Sequence, residues 1–381
     1  MGLEKAKSLL PVKDGLCFLQ VIAQQVMNLR TKYDSPLPLV FMNSFRTEAD
    51  TLEKLRHVED LAKGQANIPF SFLQNKVPKL DAGNFSPVSH PNDPDLEWCP
   101  PGHGDIYIAL KQSGILDQLI DAGYQYAFVS NADNLGASLD INLLGFFASQ
   151  NMPFLMEVAD RTVADKKGGH VASRAGSKQL LLREVAQTRE QDLIQFQNIQ
   201  RHKYFNTNSI WLNLPALNSV LQEHAGLIPL PIIVNRKTVD PTSKNSTPVI
   251  QLESAMGAAI EVFDGSQAVR VARNRFLPVK KTSDLLVLMS DLYVLNDNGV
   301  IHRNTDGPLP EVDLDERYYK NIADFSARFP AGVPSLRECQ NLKIEGDVKF
   351  GRNVRLIGNV ELSATPGESL VIDDDAIING K

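Results

Sequence analysis

Pro100-Pro101-Gly102-His103-Gly104-Asp105 runs straight into an apolar-periodic stretch beginning at Ile106, so it reads as a turn that opens a helix. Two glycines let the backbone approach a ligand closely, and a helix start presents unpaired N–H groups with partial positive charge. His103 can add a donor to that phosphate cradle. A rigid turn with Asp105 as N-cap competes with this reading. Asn131-Ala132-Asp133-Asn134 follows the apolar run from Tyr126 to Ser130. Asp133 therefore sits at the carboxyl end of an expected strand, where open α/β sheets collect ligands. A carboxylate there suits Mg2+, a hard cation that keeps waters and substrate phosphates as its other ligands; it equally suits a plain turn. Lys280 lies in Arg275-Phe276-Leu277-Pro278-Val279-Lys280-Lys281-Thr282-Ser283-Asp284, and Lys7 in Lys5-Ala6-Lys7-Ser8. Each is a compact positive charge able to neutralise a phosphoryl oxygen, or else a solvated surface group. Lys166-Lys167-Gly168-Gly169 and Phe205-Asn206-Thr207-Asn208 are polar and loop-like, with a turn as the default.

These groups need a scaffold, and the hydrophobic spacing supplies one. Leu19, Ile22, Val26 and Leu29 recur at helical intervals between Gly15 and Arg30; after Ser35-Pro36 comes an apolar strand that starts beyond Pro38 and runs to Met42. Helices are expected over 44–57 and 105–122, extended chain over 68–73, and strands over 126–130, 154–158, 180–184 and 232–234. Strands alternating with helices of these lengths predict an α/β domain with a mostly parallel sheet covered on both faces, spanning residues 1–295. Residues 296–340 read as a linker with a helical patch from Tyr318 to Phe329. From Leu342 a six-residue period begins: Leu342, Val348, Val354 and Val360 form one register, Ile344, Phe350, Leu356 and Leu362 another. A hexad lets each side chain stack on its counterpart one rung away, the logic of a parallel β-helix over 341–381. An antiparallel meander would also fill these positions by alternation, but recurrence of both registers over four repeats favours the β-helix.

Composition narrows the partners. A chain of 381 residues with 43% hydrophobic content can bury a sizeable core, and its formal charge of -6 offers no net basic field for nucleic acid. No run of about 18 apolar residues predicts a membrane span, and Met1 to Lys13 lacks the apolar stretch of a secretory signal. The three cysteines, Cys17, Cys99 and Cys339, are widely separated and odd in number, which suits reduced thiols. A cytoplasmic protein without membrane or nucleic-acid partners is expected.

Taken in order, seven segments resemble the eukaryotic-type UDP-glucose pyrophosphorylases: Phe41 to Phe45, Pro100 to Asp105, Ser130 to Asn134, Lys167-Gly168-Gly169, Phe205 to Asn208, Ile250-Gln251-Leu252-Glu253 and Arg275 to Leu286. The match spans almost the whole chain. It implies a Rossmann-like nucleotidyltransferase domain followed by a left-handed parallel β-helix, with UTP and glucose 1-phosphate as substrates, Mg2+ as cofactor and the tail as a surface for homo-oligomer contacts. By the same resemblance Gln74 reads the uracil edge with help from the Gly102 backbone, and His103, Asn131 and Ala132 contact the sugar phosphate. Asp133 holds Mg2+, Lys280 and Lys7 act on the phosphates, and Gly169, Glu184, Asn206 and Asn208 line the sugar pocket. The family's Leu-Asn-Gly-Gly-Leu-Gly-Thr loop would run into Met1-Gly2, so this sequence begins inside that signature; a polypeptide of this extent is expected to bind UTP poorly and to aggregate. Competing readings are a pyrophosphorylase for another UDP-sugar, a non-catalytic sugar-nucleotide-binding protein, and an acyltransferase, since hexad β-helices occur there too.

Overall fold

The structure is a computed structural model that describes residues 1, 6–162, 165–241, 243 and 245–380; Gly2 and Lys5 of the sequence reading lie outside the described residues. The helical stripe becomes α1 (Phe18–Tyr33), which ends at Asp34 in a left-handed conformation (φ 46°) just before Ser35-Pro36. β1 (Phe41–Asn43) and β2 (Ser71–Leu73) flank α2 (Glu48–Arg56) and pair in parallel. The helix expected over 105–122 is two, α3 (Ile106–Gln112) and α4 (Ile115–Asp121), because the chain turns left-handed at Gly114.

The central sheet is built from β3 (Tyr126–Val129), β4 (Phe154–Asp160), β5 (His170–Ser173), β6 (Leu180–Arg183), β7 (Tyr204–Asn213) and β8 (Gln267–Arg270). Its order is β6-β5-β7-β4-β8, with β3 also paired to β7. The mostly parallel sheet expected from the alternation of elements does not form. Only β4 and β8 pair in parallel; β7 runs antiparallel to β3, β4 and β5, and β5 antiparallel to β6. The cause is β7. Its polar Phe205-Asn206-Thr207-Asn208 signals a turn in sequence, yet it lies within a ten-residue strand whose ladder slips between Asn206 and Ser209, where Asn208 takes φ 56°. A bulge thus absorbs the turn-like residues without ending the strand.

Alternation along β4 and β7 feeds two cores, one on each face of the sheet. Phe154, Met156, Val158, Ile210 and Leu212 pack with Tyr107, Leu110 and Leu116 of α3 and α4, while Leu155 and Trp211 pack with Phe147 on the other side.

The tail consists of β9 (Glu311–Leu314), β10 (Ser335–Glu345), β11 (Asp347–Phe350), β12 (Arg355–Ser363), β13 (Ser369–Ile372) and β14 (Ile377–Asn379). They form two ladders, β9-β10-β12-β14 and β11-β13. Every pairing among these strands is parallel, which rules out the meander. Stacking does not occur at six-residue intervals, however. Leu342 pairs with Val360 and Ile344 with Leu362, while Val348 pairs with Leu370 and Phe350 with Ile372. The chain must travel through roughly three hexads before it returns over itself, because one hexad supplies only one flat side of a coil. The buried registers of the tail join Leu10, Val12, Phe18, Leu285 and Leu292 in one hydrophobic cluster, so the segment carrying Lys7 is anchored on the C-terminal strands.

Phe350 is central to that cluster, 1% exposed, with its ring stacked on Phe329 at 5.0 Å. Phe350→Ala is expected to lower the stability measured by urea unfolding by about 3–5 kcal/mol, the cost of lost burial plus a residual cavity. A loss below about 1 kcal/mol would show that the tail collapses around the missing ring.

Candidate active site

Asp133 lies in the turn that follows β3, and its Oδ2 accepts a hydrogen bond from Lys7 Nζ at 2.5 Å. Asn131 and Ala132 occupy the same turn, closed by the Asn134 N–H on the Asn131 carbonyl at 3.1 Å. The Asp133 carbonyl in turn accepts the N–H of Val279 at 3.2 Å, which brings the neighbouring Lys280 to the same place. Asn134, 3% exposed, ties down that segment from both sides: its Oδ1 accepts from Leu277 N–H at 2.7 Å and its Nδ2 donates to the Arg275 carbonyl at 3.2 Å. Lys280 itself is exposed, its Nζ 5.7 Å from the centre of the Phe205 ring.

A second wall comes from β5, β6 and β7. A Cβ at Gly169 would land inside the Glu184 carboxylate, so only glycine allows the two to meet. The Gly169 carbonyl accepts the Asn206 N–H at 3.0 Å. Asn206 and Asn208 hold each other across the bulge, Nδ2 of Asn206 on Oδ1 of Asn208 at 2.8 Å and the Asn208 N–H on Oδ1 of Asn206 at 2.9 Å. Burial pushes the Glu184 carboxyl up to about 7, against the pull of the Lys280 ammonium.

The third wall is the glycine-histidine turn. Gly102 has φ 84° and a Cβ there would sit 2.5 Å from the Ser254 carbonyl oxygen. His103 Nδ1 accepts the Met256 N–H at 3.0 Å, which leaves the proton of the neutral ring on Nε2; burial keeps the ring neutral by lowering its pKa. Asp105 occupies the N-cap position of α3, as expected, but its side chain does not cap the helix. Its carboxylate is 5% exposed and accepts from Asn75, backbone N–H at 2.6 Å and Nδ2 at 3.0 Å, because a buried carboxylate needs more partners than a single helix end gives. Through Asn75 it fixes Gln74, whose N–H bonds the Asn43 carbonyl at 2.8 Å at the end of β1. The walls join: a Cβ at Gly257, next to Met256, would lie 2.8 Å from Asn206 Nδ2.

Lys280, with its Nζ over the Phe205 ring and its charge felt by Glu184, links the Lys7–Asp133 pair to the amides of Asn206 and Asn208. A profile of the family described as "UTP--glucose-1-phosphate uridylyltransferase" matches residues 1–357. The chain belongs to this family. A UTP--glucose-1-phosphate uridylyltransferase of Pyrus pyrifolia is 41% identical over 385 residues, covering 100% of this chain and 78% of that protein. A UDP-glucose phosphorylase of Trypanosoma brucei superposes with a TM-score of 0.91 at 44% identity, covering 100% of this chain and 84% of that one. A mutant UDP-glucose pyrophosphorylase of Leishmania major, solved in complex with UDP-glucose, gives a TM-score of 0.91 at 42% identity over 100% of this chain and 82% of its own.

Sequence reasoning missed the groups that support this family site from behind. Glu157 is fully buried in β4 and accepts two hydrogen bonds from Arg275, from Nε and Nη2 at 2.7 Å each, and one from Trp211 Nε1 at 3.0 Å. A lone carboxylate inside Phe154-Leu155-Met156-Glu157-Val158-Ala159 was the available signal, since such a group demands a buried partner. Nothing in the spacing identified Arg275 as that partner.

Glu184 gives a pH test. Its folded pKa of about 7 lies above the ordinary 4.5, so the unfolded chain ionises first and stability falls as pH rises from 4.5 to 7, then levels. At about 1.4 kcal/mol per unit the loss is on the order of 3 kcal/mol. Glu184→Gln should lose that slope, so that the difference between variant and parent in denaturant unfolding changes across pH 4–8; parallel curves would show that Glu184 has the same pKa folded and unfolded.

Proposed function

We propose that this chain transfers the uridylyl group of UTP to glucose 1-phosphate, giving UDP-glucose and pyrophosphate. The observation that carries this reading is the convergence of Lys7, Asp133 and Lys280 beside the amide and carboxylate wall of Asn206, Asn208 and Glu184. A phosphate monoester is mostly dianionic at neutral pH, its second pKa being about 6, so the attacking oxygen needs no general base. The barrier is repulsion between anions. In our reading Lys280 and Lys7 neutralise charge that builds on the α-phosphoryl group as the new P–O bond forms and the bond to pyrophosphate breaks, with the two oxygens in line. His103, donating from Nε2, and Asn131 with Ala132 hold the sugar phosphate; Gln74 and the Gly102 backbone take the uracil; Gly169, Glu184, Asn206 and Asn208 take the sugar hydroxyls.

Among the described residues no three His, Cys, Asp or Glu side chains are grouped to hold a metal. Asp133 alone still fits Mg2+, because its carboxylate is partly exposed at 24% and a single protein carboxylate suffices for a cation that draws its remaining ligands from water and phosphate. Bound there, Mg2+ would supply charge neutralisation and alignment of phosphate oxygens.

We further read residues 1–295 as the catalytic domain and the tail as a left-handed parallel β-helix, supported by the parallel ladders and their long returns; the connecting segment expected over 296–340 contributes β9 and the start of β10 to those ladders, so the tail begins before 341. Val371 and Ile377, 62% and 54% exposed on the last strands, suit a homo-oligomer contact. No helix among the described residues is long and apolar enough to cross a membrane. Cys17, Cys99 and Cys339 are buried and unpaired, which agrees with the reducing cytoplasm as the site of action.

The test is release of pyrophosphate and formation of UDP-glucose from UTP and glucose 1-phosphate with Mg2+, run beside galactose, N-acetylglucosamine and xylose 1-phosphates. Preference for glucose is expected. A higher kcat/KM for another sugar, or binding of UDP-glucose without turnover, would replace this reading.

A further inference from the structure

β5 and β6 have a second face. His170 stands opposite Arg183 and Ala172 opposite Leu181 in the antiparallel ladder, so these side chains point away from the face on which Gly169 meets Glu184. A cavity of about 330 Å3 opens there, walled by Arg174, Arg183 and Arg201 over a floor of His170, Phe196 and His202. That is near the lower end of small-ligand pockets, roughly 300–1,000 Å3.

The charge in this cavity is unbalanced. Asp192 is the one carboxylate in its lining. The Arg183 and Arg201 side chains make no hydrogen bond or close ion pair among the described residues, while Arg174 Nη2 pairs with the Glu261 carboxylate at 3.8 Å, a carboxylate that Arg183 also attracts from farther off. Behind the floor lies Arg161, 7% exposed, with Nη1 3.4 Å from His170 Nδ1. Its Nη atoms donate to the carbonyls of Phe196, His202, Asp165 and Lys166, and its Nε has no hydrogen-bond partner among the described residues. The two imidazoles stack at 4.1 Å. Burial first, then His202 and the arginines, lower the His170 ring to about 3, and burial followed by Arg201, Arg161 and Arg183 lowers that of His202. A protein of net charge -6 thus gathers three arginines around one concavity and a fourth behind its floor, against Asp192 in the lining and Glu261 beside Arg174.

We infer that this cavity is a second ligand site, for a small phosphate-bearing anion, separate from the candidate active site and on the reverse of the strands that carry Gly169 and Glu184. Guanidinium forks match phosphate oxygens in pairs, and their weak hydration makes them better suited than lysines to a partly enclosed site. Neutral imidazoles beneath add N–H donors without adding charge that the buried floor would have to bear. The inference is independent of uridylyl transfer, because it needs only the anion to bind.

The histidines report on it directly. The full chain, with histidine rings isotopically labelled, is titrated with inorganic phosphate at constant ionic strength against chloride, and the seven ring signals are followed by NMR, His202→Gln serving to assign the pair. Saturable shifts of the His170 and His202 signals are expected in the parent and equally in Lys280→Ala. In Arg183→Ala/Arg201→Ala the apparent Kd should rise at least 10-fold while thermal unfolding stays at the parent midpoint, since both side chains are exposed. Should that variant unfold early, Arg183→Gln/Arg201→Gln repeats the test with more of the side chain kept. An undiminished response in the folded double variant, shifts no larger than chloride produces, or loss of the response in Lys280→Ala would overturn the inference.

Discussion

Lys280→Ala is expected to lower kcat by about 10²–10³-fold, with the KM for UTP changed several-fold at most and the unfolding midpoint unmoved. The size follows from where the charge is needed. Lys280 is exposed, and its Nζ makes no hydrogen bond or ion pair among the described residues, so folding does not depend on it. Its backbone is nevertheless fixed. Val279 N–H is bonded to the Asp133 carbonyl, and the Lys280 N–H donates to Asp284 Oδ2 at 2.7 Å at the start of the following helix, Thr282–Met289. A cation so placed interacts more strongly with a phosphoryl group that is gaining charge than with bound UTP, and it therefore acts on kcat. Lys280→Arg keeps the charge but changes its shape and reach, and should recover only part of the rate. A KM for UTP raised 100-fold at unchanged kcat would make Lys280 a simple binding group.

The second large effect lies away from the substrate surface. Glu157→Ala is expected to cost about 3–5 kcal/mol of stability, because it leaves the Arg275 guanidinium, 14% exposed, without its carboxylate and strands the Trp211 indole N–H. The functional consequence is separable. Arg275 begins the stretch that Asn134 binds at residues 275 and 277 and that delivers Lys280, so the Glu157–Arg275 pair positions Lys280 through the backbone. Glu157→Leu/Arg275→Met should recover much of the stability, since well-packed apolar groups often replace a buried ion pair at little cost. It should recover kcat only in part, because the guanidinium fork that holds residue 275 to β4 is gone and only the contacts of Asn134, Asp133 and Asp284 then set residues 275–280. A doubly substituted protein with parental kcat would show that the pair serves only the core.

Much of this molecule was written in its local chemistry. Gly102 and Asp133 stood out as candidates because a glycine before a helix and a carboxylate at the end of a strand have few uses, Gly169 only through the family resemblance, and α1, β1, β3 and β4 because apolar spacing is a local property. The six-residue period also pointed to parallel pairing, although the distance between paired residues, Leu342 with Val360 and Val348 with Leu370, is set by how far the chain travels before it returns. Other features were decided only when the chain closed on itself. The direction of β7 and its place between β3 and β4 are long-range pairings, and its polar bulge resembles a turn until neighbouring strands satisfy its backbone. Glu157 and Arg275 are 118 positions apart, and Lys7 and Asp133 126 apart. Sequence could state that a carboxylate in an apolar strand requires a partner and that a phosphate site requires cations. Which residues meet those requirements depends on the packing of the sheet and on the tail core that seats the Lys7 segment, because burial energy is shared across the whole cluster and leaves no mark at any one position.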